Sequence, residues 1–157
     1  MVEHATVRPG ARLRGTELGA WRGFLRAHAA LAKQLDAELL AAHGLALSSY
    51  EVLLVLEDAP EGRLRMSEIA DSMLLSRSGV TRLVDRLEKE GLIERVSCPT
   101  DRRGLHAVLT ERGRERLLEA RPTHLAGVRA GFLARFSRPE LEQLCEIWER
   151  LLPGASA

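Results

Sequence analysis

Leu18, Trp21, Phe24, His28, Leu31, Leu35 and Leu39 follow one another at three- and four-residue steps, the period of one helix face. The stripe predicts a first helix over residues 17–43, with Gly44 placed to end it as a left-handed cap. Ser48 with Glu51 three residues on has the form of a capping box. It predicts a second helix that buries Val52, Leu53 and Leu56 and stops at Pro60 and Gly62. Ser67 is placed to cap a short third helix over 68–74, and Ser76 a fourth over 77–90 that Gly91 closes. In the fourth, Val80, Leu83, Val84 and Leu87 form the apolar face, while Ser78, Thr81, Arg82, Asp85 and Arg86 lie opposite.

The period then changes. Residues 92–97 and 105–109 are β-prone runs, and the polar segment between them, from Cys98 to Gly104, predicts a hairpin with a long charged tip. Thr110 is placed to cap a fifth helix running to residue 136, kinked at Pro122 because proline lacks a backbone donor. Ser137 and Glu140 form another capping box, with Pro139 tolerated in the first turn. It opens a last helix with Leu141, Leu144, Trp148 and Leu151 on one face. The order is four helices, a hairpin and two helices. It predicts a mainly α fold, a winged helix-turn-helix with a small antiparallel β wing.

The 157 residues suffice for about one domain. With 45% apolar and 29% charged residues the composition is that of an ordinary globular protein. No apolar run approaches the roughly 18–20 residues of a membrane span, and residues 1–16 have no apolar signal-peptide core. The expectation is a cytoplasmic protein without a membrane partner, whose residues 1–16 form a flexible arm. A net charge of +1 assigns no partner by itself, so any nucleic-acid site must be a local basic surface. Cys98 and Cys145 lack a C-x-x-C or ligand spacing, and the five histidines show no zinc spacing. No metal or cofactor is expected. Gly-rich phosphate loops, H-E-x-x-H and G-x-S-x-G are missing from the chain, so no catalytic residues are assigned and an enzyme is not expected.

A short helix, a turn and a second amphipathic helix suit a helix-turn-helix, whose second helix enters the major groove by its first turns. Small Ser78 and Thr81 permit close approach, while Arg82 and Arg86 can neutralise phosphates. Arg102 and Arg103 at the hairpin tip are suited to a narrow minor groove. A solvated polar face is the plainer reading of each feature alone; their order favours DNA. The run from Met66 to Ala70, the run from Leu75 to Ile93 with Ser76, Arg77, Ser78, Thr81, Arg82 and Arg86, and Asp101-Arg102-Arg103-Gly104 with Leu109-Thr110-Glu111-Arg112-Gly113 together closely resemble the MarR (multiple antibiotic resistance regulator) family.

That resemblance implies a homodimeric transcription regulator that binds a pseudo-palindrome in double-stranded DNA. It implies a dimerisation helix over 17–47, a DNA-binding part over 48–110, dimerisation helices over 111–152 and a tail over 153–157. Ser78, Thr81 and Arg82 fall where the family's recognition helix meets DNA. Arg103 falls at the wing-tip arginine, with Asp101 as the acid that holds it. Many members bind a small aromatic or anionic effector between the two parts. Trp21 and His28, seven residues apart on one face, and Tyr50 on the second helix are the candidates here, with burial in the core as the competing role. Peroxide-sensing members carry a cysteine near the first helix, where this chain has none; Cys98 lies instead beside the wing, where an arginine can lower a thiol pKa. A winged domain used only for protein–protein contact is the alternative function, and it has no need for the arginines on the fourth helix and wing.

Overall fold

The computed structural model describes residues 12–73, 77–98 and 101–154, with backbone alone at 77, 98 and 101–104. The elements are helix α1 (Gly15–His43), α2 (Leu47–Asp58), strand β1 (Arg63–Arg65), α3 (Met66–Met73) and α4 (Arg77–Lys89). Strands β2 (Ile93–Cys98) and β3 (Asp101–Leu109) follow, then α5 (Glu111–Gly131) and α6 (Arg138–Leu151). The fold is mainly helical, with a three-stranded antiparallel sheet in the order β1-β3-β2. Among the described residues no single helix is long and apolar enough to cross a membrane.

Local chemistry explains most boundaries. Gly44 takes φ +61° and returns its N–H to the Leu40 carbonyl at 2.9 Å, as its position after the stripe predicts. Gly91, at φ +71°, lets the Leu92 N–H reach back to the Leu87 carbonyl at 2.9 Å. The cap on α5 is as predicted: Thr110 Oγ1 accepts from Gly113 N–H at 3.0 Å. Glu140 accepts from the Ser137 N–H at 2.7 Å, completing the box that opens α6.

Two predicted caps differ. Ser48 and Glu51 do not cap α2, which starts at Leu47; its first N–H is instead taken by Asp36 Oδ1 on α1, at 2.8 Å. A side chain eleven positions upstream offers a better acceptor because α2 turns off α1 at 88°. Ser67 lies inside α3, whose start is marked by Glu68 accepting from the Arg65 N–H at 2.6 Å. The Ser76 cap lies outside the described residues. Helix α5 continues through Pro122 but ends at Gly131, and a single 3-10 turn over Leu133–Arg135 precedes α6.

The sheet is larger than the predicted hairpin. β3 begins at Asp101, paired with Cys98, so the strand takes up most of the expected loop. β1 pairs with the far side of β3 through Arg63↔Val108, Leu64↔Ala107 and Arg65↔His106. Three residues, two of them arginine, carry no alternating pattern to read; the paired strand supplies the hydrogen bonds.

The core is continuous from α1 to the sheet. Leu39, Val52, Leu53, Leu56, Ile69, Val84, Leu87, Ala107 and Leu117 are fully buried, each large one worth about 1.5–3 kcal/mol. α5 lies tight against α1: a Cβ at Gly127 would stand 2.6 Å from Leu35 Cδ2. Tyr50 on α2 stacks on His124 of α5 with ring centroids 4.4 Å apart.

Burial holds the His124 imidazole below its ordinary pKa, and its buried Nδ1 has no hydrogen-bond partner among the described residues. The unfolded chain therefore takes up this proton first as pH falls through about 6.5. Stability from this site is complete above that value and declines below it. The urea midpoint is expected to drop between pH 7.5 and 5.5, and to drop less in His124→Phe. An equal drop in both proteins excludes this residue.

Candidate nucleic-acid interface

Helix α4 divides its surface sharply. Val80, Leu83, Val84 and Leu87 are buried, while Ser78, Thr81, Arg82 and Arg86 are exposed. The predicted face is thus presented on one side. Arg77 opens the helix, although its side chain, like all of Ser76, lies outside the described residues. Arg86 is not a loose cation: its Nη2 donates at 2.8 Å to Oγ of Ser49, a buried residue on α2. This anchor was not legible in the sequence, where Ser49 is one of two adjacent serines at the start of a helix.

The wing is fastened to the same helix. Arg95 on β2 donates from Nη1 to Glu88 Oε2 at 2.9 Å and from Nη2 to Asp85 Oδ1 at 2.5 Å. Its backbone N–H donates to Glu88 Oε1 at 3.2 Å, and Nη2 reaches the Thr81 carbonyl at 3.5 Å. Asp101, Arg102 and Arg103 open β3 at the outer end of the wing, and their side chains lie outside the described residues.

The root of the wing is joined to α5 at one tight corner. Thr110 Oγ1 donates to the Gly91 carbonyl at 2.8 Å, and Thr110 N–H to the Leu92 carbonyl at 3.2 Å. The end of α4, the root of the wing and the start of α5 thus share one hydrogen-bonded junction.

This arrangement matches known proteins. The family model described as MarR family covers residues 43–104. The HTH-type transcriptional regulator MhqR of Bacillus subtilis is 33% identical over 69% of this chain and 73% of its own. The chain belongs to the MarR family. The transcriptional repressor MprA of Escherichia coli is 36% identical over 73% of this chain, which spans only 65% of MprA. A crystal structure of the MarR-family regulator Sco3205 from Streptomyces coelicolor in complex with DNA is 35% identical. It has a TM-score of 0.82, covering 91% of this chain and 96% of that one.

The three effector candidates are not brought together. A cleft of about 830 Å³ lies between α1, α2 and α3, walled by His28, Lys33, Ser48, Glu51, Leu54 and Met73. Trp21 and Tyr50 are not part of that wall. Tyr50 is buried beneath it against His124, the core role that competed for it. Trp21 is 52% exposed near the start of α1, where it stacks on Phe24 and Phe24 meets Trp148. Neither Glu51 nor Lys33 was picked out for this cleft in the sequence: Glu51 was read as half of a capping box, and Lys33, an ammonium on a helix face, looks like an ordinary solvated charge. Burial pushes the Glu51 carboxyl above the usual carboxylate range, against the opposing charge of His28.

Proposed function

We propose that the protein binds double-stranded DNA as a homodimer and acts as a transcriptional regulator, most simply a repressor, released by a small molecule. The observation that carries this reading is the exposed Ser78, Thr81, Arg82 and Arg86 face of α4 with a wing fixed beside it. Sco3205, of the same fold and family, has been crystallised in complex with DNA. Residues 17–47 and 111–152 form the dimerisation region and 48–110 the DNA-binding part. Support for the dimer comes from an apolar surface on α1 and α6: Trp21, Phe24, Leu25, Ile147 and Leu151 are all exposed in the single chain.

A two-fold dimer sets its recognition helices about one DNA turn apart, roughly 10 bp centre to centre. Footprinting on the DNA upstream of the gene should show a pseudo-palindrome; one asymmetric half-site would contradict the dimeric reader. Arg82→Ala is expected to cost about 1–3 kcal/mol and relax preference at one position. Arg103→Ala should weaken binding most where the wing lies over A·T pairs, because a narrow minor groove concentrates negative potential. Parental affinity on every sequence in both variants would remove this face from the mechanism.

The effector, an aromatic or anionic molecule, is placed in the α1–α2–α3 cleft, where His28 and Lys33 would face its polar end beside Asp36 and Glu51, and Leu54, Val55 and Met73 its apolar body. A coupling of about 1–3 kcal/mol lowers DNA affinity ~5–150-fold, and DNA must weaken the effector equally. Titration of a panel of aromatic carboxylates with and without operator tests this reciprocity.

A further inference from the structure

Arg95 is a cation in the DNA-binding part whose side chain is turned onto α4. Its side chain is only 20% exposed, with Nη1 donating to Glu88 and Nη2 to Asp85 and the Thr81 carbonyl. Residues 81, 85 and 88 form one stripe along α4, since positions three and four apart share a helix face. The guanidinium thus spans two turns of the recognition helix from the adjoining strand. Both oxygens of Glu88 are taken by the same residue, one by the backbone N–H and one by Nη1.

The two acids are the unexpected part. Asp85 lies beside Arg86 and three residues from Arg82, and its side chain is 45% exposed; that of Glu88 is 39% exposed. Duplex DNA carries one negative charge per about 1.7 Å of axis. A carboxylate within a Debye length of about 8–10 Å repels it with little screening. Bare, Asp85 and Glu88 oppose the charge that Arg82 and Arg86 supply.

We propose that Arg95 is a positioning residue for DNA binding that acts through Asp85 and Glu88: it shields the two carboxylates of the recognition helix from the phosphate backbone. The inference rests on the DNA-binding reading above. A planar fork suits this task because it can serve both acids and the carbonyl at once, whereas a lysine presents one point charge. The shield makes β2, an edge strand of the sheet, an electrostatic part of the recognition helix without any contact to DNA.

The test is fluorescence anisotropy with a random-sequence duplex, thermal melting of each protein being followed in parallel. Arg95→Met leaves two uncompensated acids and is expected to weaken binding about tenfold, the scale of one to two surface charge interactions. Adding Asp85→Asn and Glu88→Gln to Arg95→Met removes the repulsion while leaving the clamp broken. That triple variant should return to within about threefold of the parent. Arg95→Lys keeps a positive charge and should lose less than Arg95→Met; it carries the test if Arg95→Met does not fold. Binding by Arg95→Met equal to the parent overturns the proposal. So does a triple variant no better than Arg95→Met, or an Arg95→Lys loss as deep as tenfold, since either makes the clamp a matter of shape alone. A parent protein that binds no duplex at all defeats the functional reading first, and so is told apart from a failure of the shield.

Discussion

Gly113→Ala is expected to destabilise the protein by about 3 kcal/mol or more, at or beyond the upper end of ordinary overpacking. A Cβ there would stand 2.0 Å from the Leu92 carbonyl oxygen, 3.0 Å from its carbon and 2.8 Å from Leu109 Cδ1. The Leu109 side chain can turn aside, but the other two atoms, the nearest among them, are backbone and cannot. The Leu92 carbonyl is moreover held by the Thr110 N–H, and Gly113 N–H by Thr110 Oγ1. Relief requires pulling α5 away from the root of the wing, which breaks the cap on α5. The melting temperature should fall by roughly 6–12 °C, taking 2–4 °C per kcal/mol for a chain of this size. A melting curve within 2 °C of the parent, or about 1 kcal/mol, shows that the corner is looser than the structure describes. DNA affinity should also fall at temperatures where the variant is still folded, because the wing's attachment is disturbed.

The second large effect concerns association. Ile147 and Leu151, four residues apart on α6, are 42% and 61% exposed in the single chain. For a monomer, glutamate at such positions changes stability by no more than about 0.5 kcal/mol. Within a dimer interface each becomes a buried unpaired carboxylate costing several kcal/mol, and two-fold symmetry repeats it on the partner. Ile147→Glu/Leu151→Glu should therefore raise the dimer dissociation constant at least about 1,000-fold, the equivalent of 4 kcal/mol. Sedimentation should show monomers at micromolar concentration, and operator affinity should collapse because one recognition helix reads only half a site. A dimer that survives both charges locates the interface elsewhere.

These effects arise at different depths of the sequence. The α4 face was legible at once, because Val80, Leu83, Val84 and Leu87 repeat with the helical period and leave Ser78, Thr81, Arg82 and Arg86 opposite. The C-terminal end of α1 and the caps on α5 and α6 were legible too, since Gly44, Thr110 and Ser137–Glu140 act on backbone groups within a few residues of themselves. The start of α2 was not. Ser48 has a capping sequence, but the helix starts one residue earlier, where Asp36 accepts the Leu47 N–H from a helix set across it.

What local pattern determined, then, was the number, type and order of the longer helices, the hairpin and the polar face between them. Their periods are properties of single segments, and the hydrophobic effect acts on each segment's stripe wherever its partner lies. Only the tertiary structure decided that Arg63–Arg65 is a strand, that Tyr50 is core against His124 and that His28 faces the cleft without Tyr50. It alone joined Arg95 to Asp85 and Glu88, and Arg86 to Ser49. Each of these pairings depends on the distance between two elements after packing. Charges and hydroxyls on separate elements leave no periodic trace by which one could be assigned to another.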